Sequence, residues 1–178
     1  MEHLLGLAEE REDVDEEFSD LRRAILLCER ETTRSRGERR LDRIAQKRDP
    51  RRSPIAMSAL AASAMWKGDL RAVLYWGRQA VSQYPMSPAA VWCSTLLISV
   101  YRMLGMKRER FEAEQERFRM MRKIAFQGPN HVDRIYALNE LRKELESRDL
   151  TADAERCAEE LRELIGSSRP GSIPPLLI

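Results

Sequence analysis

Ser53-Pro54, the apolar run Ile55 to Trp66, the tripeptide Lys67-Gly68-Asp69, and then Leu70 to Gln83 with Pro85 read as two helices joined by a tight turn. Met57, Leu60, Ala61, Ala64 and Met65 recur at helical spacing on the first helix. Val73, Leu74, Gly77, Ala80 and Val81 do so on the second. Gly68 can take the positive φ that a tight turn needs, and Pro85 ends the second helix. Ser87-Pro88 follows 34 residues after Ser53-Pro54 and again opens an apolar stretch. Proline has no N–H and a φ preset near the helical value, so each pair predicts a serine N-cap before a first-turn proline. Two such starts, one helix-turn-helix apart, predict stacked helical hairpins.

The pattern continues toward the C-terminus. A third long helix, about Pro88 to Leu104, carries Val91, Trp92, Thr95, Ile98 and Tyr101 and stops at Gly105. Its partner, about Lys107 to Phe126, is more polar, with Phe111, Phe118, Met121, Ile124 and Ala125 for packing. Gly128-Pro129-Asn130 is the next break, and Asn130 with Asp133 three residues later resembles a capping box. The following helix, about His131 to Ser147, has Ile135, Leu138, Leu141 and Leu145. Thr151 is expected to cap a last helix reaching about Ile165, closed by Gly166-Ser167-Ser168.

On the other side, Val14, Phe18, Leu21, Ile25 and Cys28 form one stripe of a helix from about Asp13 to Glu31. The pattern breaks around Thr32 to Gly37. A short helix, about Glu38 to Arg48, then offers Leu41, Ile44 and Ala45, and Asp49 to Pro54 is expected to be a loop. No stretch shows the period-two alternation of a strand. The chain divides into an N-terminal helical pair (1–53), helical repeats (54–166) and an apolar, proline-rich tail (167–178).

Charged residues make up 34% of the 178, yet the net charge is only +2, so no polyanionic partner is demanded. The charge is unevenly spread: residues 1–20 are strongly acidic and residues 34–52 strongly basic, and two such blocks can neutralise one another. The three cysteines, Cys28, Cys93 and Cys157, are far apart and lie on or beside apolar stripes, which predicts buried thiols in a reducing compartment. The first twenty residues are too acidic for a secretory or transit signal, and no apolar run reaches the roughly 20 residues of a membrane span. A soluble cytoplasmic protein is the expectation. Two histidines outside any cluster, and glycines standing singly at breaks, leave no parts for a metal site, a histidine relay or a phosphate loop. No catalysis, metal or cofactor is expected.

Residues 57–85 resemble the tetratricopeptide repeat family. Met57, Leu60, Ala61 and Ala64 stand at the pattern positions of the first helix, Gly68-Asp69 at its turn, Ala80 late in the second helix and Pro85 at its close. The chain departs from the pattern at Val73 for a small residue and at Ala64 and Gly77 for aromatics. The resemblance is best over residues 54–87 and weaker over 88–166, where Gly105 stands three residues beyond the place that a strict 34-residue period assigns it. It implies an all-α fold, a right-handed stack of about three antiparallel hairpins plus the N-terminal pair. Ala61 and Ala80 would let neighbouring helices approach to about 8–10 Å.

In such a stack the first helices line a concave face suited to a partner's peptide or helix. Helical phase assigns Ser58, Ala62, Met65 and Trp66, then Trp92, Leu96 and Ser99, to that partner-binding face. The expected function is a protein–protein interaction scaffold. Family members that clamp a terminal carboxylate use lysine and asparagine there, where this chain has Ser58 and Ala62. The tail Ile173 to Ile178, with four large aliphatics, could cap the groove or drive self-association. Two alternatives share the sequence. One is a nucleic-acid-binding protein using Arg36, Arg39, Arg40, Arg43, Lys47, Arg51 and Arg52, with Arg117, Arg119, Arg122 and Lys123 as further contacts. This is disfavoured because the segment has no interleaved aromatics. The other is a small secretion-type chaperone with the same groove.

Overall fold

Asp49, rather than Ser53, starts the helix that carries Met57, Leu60 and Trp66. Its Oδ1 accepts hydrogen bonds from the backbone N–H groups of Arg51 (2.8 Å) and Arg52 (3.0 Å), and its carbonyl accepts from Ser53 N. The computed structural model describes residues 31–167, and in it this helix begins at Arg52. The expected loop therefore ends before Ser53, and Ser53 is not an N-cap. Pro54 is tolerated because first-turn N–H groups need no intrahelical partner. Ser53, fully buried, instead donates its hydroxyl to the carbonyl of Ile44 at 3.0 Å and ties two successive helices together.

Seven helices follow one another in the described residues, with no strand. They are α1 (Glu31–Gln46), α2 (Arg52–Trp66), α3 (Leu70–Gln83), α4 (Pro88–Met103), α5 (Lys107–Gln127), α6 (His131–Glu146) and α7 (Thr151–Ser167). The expected helix from Asp13 and the tail from Ser168 lie outside the described residues.

Most boundaries follow the local chemistry. Asp69 caps α3 by accepting from Ala72 N, Ser87 caps α4 by accepting from Ala89 N with Pro88 at the first position, and Asn130 caps α6 by accepting from Val132 N. Gly68 (φ 72°) and Gly105 (φ 69°) make the left-handed turns.

Two boundaries need correction. The expected break at Thr32 to Gly37 is helical, inside α1. Gly37 is buried there, in line with Leu41 and Ala45, so packing overrides the weak helix propensity of threonine and glycine. At the other end, Thr151 is the first residue of α7 rather than its cap, after Asp149 turns with φ 58°, and α7 runs through Gly166 to Ser167.

Turns of three to five residues join the helices, and each helix packs on the next. The even-numbered helices also meet: α2 packs on α4, and α4 touches α6. Odd-numbered neighbours barely touch; α5 and α7 both pack on α6 and stand apart from each other. One core joins Leu41 and Ala45 of α1, Met57, Leu60 and Ala61 of α2, Ala80 of α3 and Cys93 of α4. Ala61 and Ala80 are fully buried in it, as their small size requires. A second core gathers Val91, Met120, Met121, Ile124, Ile135, Leu138, Leu141 and Leu164 from α4 to α7.

Charged side chains stitch the helices at their edges. Glu38 of α1 accepts from the buried Ser63 hydroxyl (2.5 Å) and from Lys67 Nζ (2.7 Å) at the end of α2. Arg134 donates to the Ala125 carbonyl at the end of α5 (3.0 Å) and to Glu160 of α7 (2.8 Å).

Candidate functional site

Two surfaces stand out, one foreseen and one not. On the even-numbered helices, Trp66 ends α2 with its indole 79% exposed. Met65 beside it, and Ser58, Trp92, Leu96 and Ser99, are half-buried, while Ala62 is buried. Ser58 and Ser99 donate their hydroxyls to the carbonyls of Ile55 (2.8 Å) and Thr95 (3.1 Å), within their own helices. Trp92 and Leu96 pack against the first core, so they join α4 to α2 and present only one side to solvent. The two indoles thus divide the work: Trp92 is packing with an exposed edge, and Trp66 is surface.

The basic segment takes a different arrangement. Arg36, Arg39 and Arg43 of α1 and Lys47 just after it are exposed, and their spacing puts them on one side of the helix. Arg40 and Arg52 are half-buried, and Arg51 is exposed in the turn before α2. Of the cations on α5 suggested as further contacts, Arg117 is committed elsewhere. It donates Nε to the Thr95 hydroxyl (3.1 Å) and Nη1 to Glu144 (2.9 Å), joining α4, α5 and α6.

The other three, Arg119, Arg122 and Lys123, line a groove of about 700 Å³ between α5 and α7, over α6, which sequence reading did not assemble. It exists because α5 and α7 each pack on α6 and leave a gap between themselves. Leu141, Leu145, Phe118 and Cys157 form the floor, Phe126 and Leu150 the apolar edges, and Arg119, Arg122, Lys123 and Arg156 the rim, with Asp153 as the one acid. The Arg148 guanidinium lies over the Phe118 ring, 5.1 Å from its centre. No periodicity marks such a gap, because it depends on the spacing of helices that are far apart in sequence.

Burial pushes the Cys93 thiol up to about 12 and raises Cys157 in the same direction, so neither is a ready thiolate. Burial also raises Asp133. Among the described residues, no group of three or more histidine, cysteine or acidic side chains is placed to hold a metal ion. No helix among them is long and apolar enough to cross a membrane. Comparison with known protein families, characterised proteins and solved structures gives no match for this chain.

Proposed function

We propose that the chain is a non-catalytic protein-interaction scaffold, a right-handed stack of antiparallel helical hairpins similar to tetratricopeptide proteins. The pairs would be α2 with α3, α4 with α5 and α6 with α7, and α1 would pack on their first member. Packing between even-numbered helices, with odd-numbered ones held apart, supports this reading. A stack whose first helices crowd together and whose second helices spread bends toward the first helices and makes that side concave. Two buried thiols, Cys93 and Cys157, suit a reducing compartment such as the cytoplasm.

The observation that carries the function is Trp66. An indole exposed to 79% at the end of α2, beside the half-buried Met65, is costly to leave in water and suited to anchoring a partner. The partner is a peptide or helix laid across α2 and α4. Affinity capture from native extract, with wild type and Trp66→Ala compared quantitatively, tests it. A specific partner lost in the variant while the helical circular dichroism is unchanged supports the assignment. A full set of partners retained by Trp66→Ala moves the binding face off α2.

A further inference from the structure

From the groove between α5 and α7, we infer a second docking surface, one that takes an acidic amphipathic helix of a partner protein. It lies on the odd-numbered helices, away from Trp66, and does not depend on the binding face proposed above.

Charge pairing singles it out. Most cations along α5 to α7 are matched by acids: Arg108 with Glu112, Arg117 and Arg148 with Glu144, Arg134 with Glu160, Arg142 with Glu146, Lys143 with Glu140; Lys107 and Arg162 are single exceptions outside the groove. At the groove the unmatched cations gather. Arg122, Lys123 and Arg156 are exposed and have no ion pair among the described residues, and Arg119 leans on Glu116 only at 3.4 Å. Four cations against Asp153 leave a net positive rim that attracts an anionic surface.

The floor decides which anion. Leu141 and Leu145 are closed at the bottom, while Phe126 (49% exposed) and Leu150 (46% exposed) stand open at the edges. Aliphatic side chains take apolar side chains and do not stack bases. Of the two rings, Phe118 has one face taken by Arg148 and Phe126 is the exposed one, short of the successive rings on which single-stranded nucleic acid stacks. The shape favours a helix. Two helices packed on a third leave a trough that a further helix, about 10 Å across, completes as a four-helix arrangement. Apolar residues at three- and four-residue spacing would enter between Phe126 and Leu150, and acids on the flanks would meet Arg122, Lys123 and Arg156.

The test is an anisotropy titration of the full-length chain with a labelled peptide of about 18 residues, about 27 Å as a helix. It is made of leucine and glutamate with the leucines on one face, and the control has the same composition with the leucines scattered. The amphipathic peptide should bind at least about tenfold more tightly than the control, a difference of about 1.4 kcal/mol. Arg122→Glu combined with Lys123→Glu should weaken it by at least about tenfold, and Leu150→Gln in the same direction, each with unchanged helicity. Trp66→Ala should have no effect. Equal binding of the two peptides overturns the proposal, because it reduces the groove to a charge patch. Stronger binding of a single-stranded oligonucleotide, weakened by the same substitutions, assigns the groove to nucleic acid and also overturns it. Self-association in sedimentation that Arg122→Glu with Lys123→Glu abolishes makes the occupant a second copy, and the proposal of a partner helix then falls.

Discussion

Leu97 of α4 occupies the space that a side chain on Gly77 of α3 would need. Its Cδ2 lies 2.9 Å, and its Cγ 3.0 Å, from where a Cβ at residue 77 would stand. The resemblance noted in the sequence would put an aromatic at residue 77. Here the volume is supplied from the opposite helix, and α3 and α4 approach closely as a result. Both residues are buried, so neither can give way toward solvent.

Gly77→Ala is therefore expected to destabilise the protein by about 1 kcal/mol. The gain in helix propensity, about 1 kcal/mol, is outweighed by overpacking of typically 1–3 kcal/mol. Leu97→Ala alone opens a cavity and should cost about 3 kcal/mol. The double variant should be more stable than the sum of the two, and urea denaturation of all four proteins measures that coupling. Additive losses would mean that the two side chains do not compete for one space.

Glu38 holds the end of α2 to α1 through Ser63 and Lys67. Glu38→Ala leaves the Ser63 hydroxyl, 3% exposed, without its acceptor and should cost about 2 kcal/mol. Lys67→Ala, on the more open side of the same carboxylate, should cost less, about 0.5 kcal/mol. Thermal melts of the two variants, the first removing both arms and the second only the exposed one, check the order.

Acid should loosen the junction of α5 and α6 at Glu144. Burial by itself would raise this carboxyl, but hydrogen bonds from Arg148 and Arg117 outweigh it and hold the group below its ordinary value of 4.5. A folded pKa below the unfolded one stabilises the native state above the unfolded value, and the benefit disappears as pH falls through the folded one. Glu144→Gln should therefore be less stable than wild type at pH 7, and the gap should close as pH drops below about 4.5. Denaturation at a series of pH values reads this directly; a gap independent of pH would place the interaction elsewhere.

The two indoles should separate cleanly. Trp66→Ala should leave stability within about 0.5 kcal/mol of wild type, whereas Trp92→Ala should cost about 2 kcal/mol because Trp92 packs on the first core. Iodide should quench Trp66 fluorescence more strongly than that of Trp92. Comparing single-tryptophan variants tests this, and equal quenching would contradict the burial difference.

Cys93 should be silent toward thiol reagents in the native state. Its thiol is fully buried and pushed up to about 12. At pH 8 its modification should follow unfolding and accelerate in urea. Rapid labelling of Cys93 without denaturant would show an opening that the packing of α2, α3 and α4 does not suggest.

Local chemistry in the chain was enough to announce the helices of the described residues and most of their ends. Gly68, Gly105, Asp69, Ser87 and Asn130 act at the places their side chains or their freedom of φ dictate. Such signals involve neighbours only a few residues apart, so they are visible in a line of residues. Ser53 and Gly37 show where that stops. Both carry local signals for a cap or a break, and both are overruled by packing: Ser53 bonds across to α1, and Gly37 is buried within α1 in line with Leu41 and Ala45. Exposure of Trp66 and engagement of Trp92, one apolar pattern with two fates, were decided by which helix came to lie against each ring. The groove belongs wholly to the tertiary structure. Its basic residues on α5 and its apolar partners on α6 and α7 are neighbours only because α5 and α7 rest side by side on a common helix with a gap between them, a spacing set by packing over α6.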